Sequence, residues 1–225
     1  MLRLFALAGL AMTLLGPAPA MSQSATHFTV TYIEVGPILA KVGAAALRTY
    51  REAGRKDPGA VSLDVLQRID RANQFVILGA WADQKAFDAH VAAAHTKKMQ
   101  DKIASISAAP ADTRQHVGLS VAAAGKTAKE PVFAVTHVDV IPPQKDNGVA
   151  AVKLLAQESR KHSGNLHFDV WQQTNRPNHF TVVESWSSRG AFDVHEMQNE
   201  TRDFRTKLAA MTGALYDERL YKTLK

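Results

Sequence analysis

Phe75–His95 reads FVILGAWADQKAFDAHVAAAH, and Phe180–Glu200 reads FTVVESWSSRGAFDVHEMQNE. The second stretch lies 105 positions after the first. At that offset Trp81 meets Trp186, Ala86-Phe87-Asp88 meets Ala191-Phe192-Asp193, and His90 meets His195. Working outward, the same offset pairs Phe28 with Phe133, Val30 with Val135, Thr31 with Thr136, and Pro37 with Pro142. It also pairs Gly59 with Gly164, Asp64-Val65 with Asp169-Val170, Asn73 with Asn178, and Asp112 and Arg114 with Asp217 and Arg219. Chance matches do not hold one gapless offset through two tryptophans and an A-F-D-x-H block, so the chain is an internal duplication.

Each copy reads as β-α-β-β-α-β. A β-branched strand, Thr29–Val35 or Ala134–Val140, runs up to a proline. A helix follows, near Ile38–Ala53 or Asn147–Lys161, rich in good helix formers and closed by a glycine a few residues later. Two strands come next, Ser62–Arg68 with Gln74–Trp81, and Leu166–Gln173 with His179–Trp186, joined by short polar turns. A second helix starts at Asp83 or Ser188, both good N-caps, and is expected to run, with a break, to Ile106 or Met211. A last strand lies near Thr113–Val121 or Leu215–Leu224. The expected modules are 27–121 and 131–225, with 122–130 as a small, polar linker. A sheet with helices on one face leaves the other face bare, and two such sheets can cover each other. With both copies in one chain that pairing is intramolecular. The expected fold is therefore α+β: two tandem ferredoxin-like modules whose sheets form one barrel-like core, a pseudo-dimer open to further self-association.

Composition narrows the functional classes. The formal charge of +6 is spread over the chain without a basic run, so no nucleic-acid partner is expected. The absence of cysteine removes disulfides, thiolate metal sites and cysteine nucleophiles. At the N-terminus, Arg3 precedes an apolar run of about 12 residues, too short to span a bilayer. Gly16-Pro17 and Ala18-Pro19-Ala20 then resemble the end of a secretion signal. Residues 1–20 are read as a signal peptide, which implies an exported, periplasmic mature chain with no membrane partner after cleavage.

The Trp-x-x-x-x-Ala-Phe-x-x-His block resembles the antibiotic biosynthesis monooxygenase family of the dimeric α+β barrel superfamily. That family's pattern ends a central strand in Glu-x-Trp, then opens a helix carrying Ala, an aromatic, a His and often a second His five residues later. The first copy has Trp81, Ala86, Phe87, His90 and His95, with Gly79 in place of the glutamate. The second has Glu184, Trp186, Ala191, Phe192 and His195, with Glu200 in place of the second histidine. The resemblance spans nearly all of the mature chain. It implies a pocket between a sheet and its own helices, and oxidation of a small phenol or quinol by O2 without a cofactor. A non-catalytic periplasmic carrier of a small apolar or aromatic ligand would use the same pocket. The family's haem-degrading members pair an Asn on the first strand with a His late in the second helix. Here Tyr32 or His137 and Gln100 stand near those places, which disfavours haem.

The residues themselves suggest roles. Phe87, His90, Val91 and Ala94 share one helical face, so His90 and its repeat His195 point to the apolar side, where a neutral imidazole can take a phenolic proton. The alternative is a structural histidine bonded to a backbone carbonyl. Glu184 shares a sheet face with Trp186 and is a candidate base or a partner for His195. The catalytic candidates are thus His90, His95, Glu184 and His195. Trp81, Trp186, Phe87, Phe192, Trp171, Tyr32 and His137 are the candidate substrate-binding residues. His137-x-Asp139 and His167-x-Asp169 would hold a metal with Glu184 only if all faced one way. Polar strand faces are the simpler explanation, and no metal or other cofactor is expected.

Overall fold

The computed structural model describes residues 25–123 and 125–225; the segment read as a signal peptide, 1–20, lies outside them. The first copy contributes β1 (His27–Glu34), α1 (Ala40–Gly54), β2 (Ala60–Arg68), β3 (Gln74–Trp81), α2 (Gln84–Ala92), α3 (Ala94–Ala104) and β4 (Asp112–Ser120). The second contributes β5 (Val132–Asp139), α4 (Lys145–Ser159), β6 (Asn165–Gln173), β7 (His179–Trp186), α5 (Arg189–Glu196), α6 (Asn199–Ala209) and β8 (Asp217–Thr223). Asp83 and Ser188 cap α2 and α5, each side chain accepting from the backbone N–H three residues on. The expected break falls at Ala93 and Gln198, whose extended backbone separates the two helices of each copy.

All eight strands close into one barrel in the order β1-β3-β2-β8-β5-β7-β6-β4. Each copy forms an antiparallel sheet, and the last strand of each copy pairs with the second strand of the other. Leu66 faces Thr223 across the β2–β8 seam, and His116 faces Gln173 across the β4–β6 seam. Neither sheet keeps a free edge, the arrangement that removes open strand ends. The fold expected from the repeat is the fold observed.

Strand alternation sends side chains to two separate cores. In β1 the odd-numbered Ile33 packs with α1 and α3 through Leu47, Tyr50, Met99 and Ile103. The even-numbered Phe28 and Val30 point into the barrel, meeting Trp171, Val183 and Tyr221 of the second copy. Because the repeat offset is odd, parity inverts in the second copy. There Ala134 and Val138 face the helices, and Val135 faces the barrel. Gly59 and Gly164 both adopt φ 81° at the entry to the second strand, where a Cβ would lie 2.5 Å from Ala86 or Ala191. Among the described residues no helix is long and apolar enough to cross a membrane.

Candidate active site

In the first copy a cavity of about 480 Å³ lies between the helix-facing side of β1 and β3 and the helices α2 and α3. Ile33, Ile77, Phe87, Met99 and Ile103 supply apolar wall, while Tyr50, His90, Thr96 and Gln100 supply polar groups. The mixture of apolar wall and few polar groups suits a small, largely apolar ligand.

Behind this wall a chain of hydrogen bonds runs outward. Tyr50 Oη lies 2.7 Å from His90 Nε2, and His90 Nδ1 lies 2.6 Å from Asp57 Oδ2. Asp57 as a carboxylate only accepts, so Nδ1 carries the hydrogen, and a neutral His90 takes the Tyr50 hydroxyl proton as acceptor at Nε2. The helix end that carries Tyr50 can approach because Gly54 has no side chain: a Cβ there would fall 2.9 Å from His90 Cε1. His90 is 2% exposed. Burial pulls its pKa below 6.5, and the Asp57 hydrogen bond and charge oppose that pull. Burial and the Asp57 charge together raise the pKa of Tyr50. Both groups are therefore neutral near pH 7, and the pair can pass a proton without either ionising at rest.

Trp81 lies behind the cavity. Its indole packs on the His90 ring at 4.4 Å between centroids, and its Nε1 donates to Thr29 Oγ1 at 3.1 Å. Gly79 makes this bond possible, since a Cβ there would sit 2.7 Å from the indole nitrogen. In the second copy Thr29 corresponds to Ala134 and Gly79 to Glu184. The Trp186 Nε1 donates instead to Glu184 Oε2 at 2.7 Å. One buried donor thus keeps a partner in both copies by moving the acceptor from one strand to its neighbour.

The second copy differs where the first copy is hollow. Tyr50 becomes Leu155, so His195 has no phenol partner at that place. Met99, Gln100, Ala111 and Thr113 become Phe204, Arg205, Tyr216 and Glu218. Arg205 bonds Glu196 and Glu218 and lies over the Tyr216 ring at 5.2 Å. Larger, mutually bonded side chains thus stand where the first copy has cavity wall. Glu184 is 3% exposed, and its Oε2 lies 3.5 Å from His195 Nε2. Burial pushes its pKa up to about 8, so it is a neutral acid near pH 7 and a poor base. Burial likewise lowers His195 to about 3.

The candidate residues therefore fall into three places. Phe87 and His90 line the cavity, His95 sits beyond it beside Asp57, and Trp81 backs His90. Trp186, Phe192, Glu184 and His195 form the counterpart in the second copy, beside the bulkier Phe204, Arg205 and Tyr216. Tyr32, His137 and Trp171 point into the barrel, on the opposite sheet faces from both helix-side sites. Trp171 stacks on Phe28 at 4.9 Å, and Arg114 and Arg219 lie 5.1 and 5.3 Å from the Tyr32 ring. The same alternation separates His137, Asp139 and Asp169 from Glu184, so these groups cannot form one metal site. His137 pairs instead with His179 at 3.2 Å, and His167 with Asp169 at 3.0 Å. Tyr50 and Asp57 are missing from the sequence-based candidates. Positions 57 and 95 hold Asp and His, while 162 and 200 hold His and Glu. That exchange of acid and imidazole was the available signal.

The family model for antibiotic biosynthesis monooxygenase matches residues 29–102 and again 131–207. A relative in Bacillus subtilis, named "Putative monooxygenase YcnE", is 28% identical over 69 residues, which is 31% of this chain and 70% of that protein. A Fusobacterium nucleatum structure described as a "Putative monooxygenase" superposes with a TM-score of 0.79 at 15% identity, covering 90% of this chain and 94% of the other. A structure of an anthrone oxidase-like protein superposes with a TM-score of 0.69 at 12% identity, covering 90% of this chain and 92% of the other. At those identities the two structures speak for the fold, and the twofold family match speaks for descent. The chain belongs to the antibiotic biosynthesis monooxygenase family.

Proposed function

We propose that this protein is a cofactor-independent monooxygenase of a small phenol or quinol, working in the first copy alone. The observation that carries this reading is the 480 Å³ cavity of that copy with Tyr50 and His90 in its wall and Asp57 behind them. A quinol seated there places a hydroxyl against Tyr50. The substrate proton moves to Tyr50 Oη as the Tyr50 proton moves to His90 Nε2, and the Asp57 carboxylate steadies the imidazolium that results. The phenolate left in an apolar enclosure is an electron-rich reductant for O2. A quinol plus O2 gives a hydroxyquinone plus water, and all four electrons that reduce O2 come from the substrate. His90 is the catalytic base through Tyr50, and Asp57 is a positioning residue.

The test is oxygen uptake by the protein with a panel of quinols, alongside Tyr50→Phe and His90→Ala. Uptake that falls at least about a hundredfold in His90→Ala supports the reading. Uptake equal in all three proteins refutes it, and a retained ligand without turnover would make the protein a carrier. Export completes the proposal. The features of residues 1–20 direct the chain to the periplasm, with cleavage after Ala20. N-terminal sequencing of periplasmic protein should begin Met21-Ser22-Gln23; cytoplasmic protein starting at Met1 would contradict it.

A further inference from the structure

We infer that Asp57, His90 and His95 form a binding site for one divalent first-row transition ion of the zinc class, on the side of His90 away from the cavity. The three residues come from three elements: the loop after α1, helix α2 and the second residue of α3. One ligand atom from each lies within 4.8 Å of the others. Both imidazoles converge on a single carboxylate oxygen, His90 Nδ1 at 2.6 Å and His95 Nε2 at 3.1 Å from Asp57 Oδ2. The second approach is not a hydrogen bond: His95 Nε2 is shielded from solvent and has no partner of acceptable geometry. Two nitrogens and one oxygen aimed at one point are a borderline donor set suited to Zn2+, Co2+ or Fe2+.

The surroundings fit an ion. Tetrahedral bonds of about 2.0–2.2 Å would set the donors roughly 3.3 Å apart, so the 2.6 Å and 3.1 Å pairs open by roughly 0.7 and 0.2 Å, which a loop residue such as Asp57 can absorb. The side chains of Asp57 and His95 keep 19% and 24% of their exposure, so an ion has a way in. His90 has the outer support typical of a metal-bound imidazole, with Tyr50 Oη beside its other nitrogen. Among the described residues the other trio with donor spacing is His137, Asp139 and His179, where the Arg114 charge bears on both histidines and opposes a cation. The second copy keeps two imidazoles and a carboxylate but strings them out. His195 meets His162 at 2.9 Å, and Glu200 lies 3.7 Å from the far side of His162. Among the described residues, the convergent Asp57–His90–His95 arrangement is therefore not repeated in the second copy.

An ion there replaces the hydrogen between His90 and Asp57. His90 Nε2 must then carry the hydrogen and donate to Tyr50 Oη, which reverses the hydrogen bond at the cavity wall. Only this consequence rests on the proposed reaction: Zn2+ should suppress quinol-dependent oxygen uptake.

The experiment is titration of the untagged protein with Co2+, followed by visible absorption and by competition with Zn2+. One equivalent should bind and give the absorption of low-symmetry Co2+. Asp57→Asn and His95→Ala should each weaken binding about tenfold or more, while His179→Ala should leave it unchanged. His95 is partly exposed, so His95→Ala tests the site without emptying a core position, and unchanged far-UV circular dichroism confirms its fold. Failure to bind an equivalent, binding indifferent to Asp57→Asn and His95→Ala, or loss in His179→Ala would each overturn the site. None of these readouts needs a substrate, so they stand apart from the fate of the monooxygenase reading.

Discussion

His90→Ala and His195→Ala make the same chemical change at matched places in the two copies. Both histidines are 2% exposed, and both pack on a tryptophan with ring centroids 4.4 Å apart. In the first copy the change strands the buried Tyr50 hydroxyl and removes a partner of Asp57. In the second it strands His162 Nδ1, while Glu184 keeps its bond from Trp186 Nε1. A stranded buried polar group costs about 1–3 kcal/mol, so both variants should unfold at lower temperature by similar amounts. Activity should split them. Removing a general base costs about a hundredfold to ten-thousandfold, and this loss should appear in His90→Ala only. His195→Ala should stay within about twofold of the parent, because sites without shared partners act independently. Oxygen uptake with the best quinol and thermal unfolding in the same buffer provide the two axes. Equal loss of activity in the two variants would refute the assignment of the work to the first copy.

Three further outcomes follow from the same geometry. Glu184 has its folded pKa raised from 4.5 to about 8, so its contribution to stability is full below pH 4.5 and is lost as the pH rises through 8. Glu184→Gln should therefore flatten the fall in unfolding free energy between those limits, a difference on the order of 5 kcal/mol; parallel pH curves for the two proteins would contradict it. Glu196, Glu218, Arg205 and His195 face this carboxyl, so the measurement reports the whole cluster. Thr29→Val removes the acceptor of Trp81 Nε1 and should cost about 1–3 kcal/mol in chemical denaturation, whereas Ala134→Thr, beside the Glu184 acceptor, should gain nothing. Combining Arg205→Gln, Tyr216→Ala and Glu218→Thr rebuilds the first copy's wall in the second. Calorimetry should then detect a second equivalent of bound phenol, and unchanged stoichiometry would show that these side chains are not what closes that copy.

The repeat made the fold legible, because strands, caps and tryptophans recur at one offset and a doubled module must cover its own bare sheets. The helix faces of Phe87 and His90 were readable from spacing for the same reason. Tyr32, His137 and Trp171 lie on the barrel side, apart from the helix-side candidates: aromatic and polar residues on these strands alternate between the two cores, and only strand register tells which is which. Tyr50 and Asp57 escaped because a repeat search rewards identity, and both positions differ between the copies. The differences carry the information. Thr29 with Gly79 against Ala134 with Glu184 preserves one tryptophan bond, and Asp57 with His95 against His162 with Glu200 preserves one imidazole–carboxylate set. Gln100 against Arg205 marks where the hollow ends.

The most direct measurement is a crystal structure with an unreactive phenol bound. One molecule per chain should lie between β1–β3 and α2–α3 of the first copy, with its hydroxyl in hydrogen-bonding reach of Tyr50 Oη. A phenol lodged inside the barrel beside Tyr32 and Trp171, or against His195 in the second copy, would contradict it.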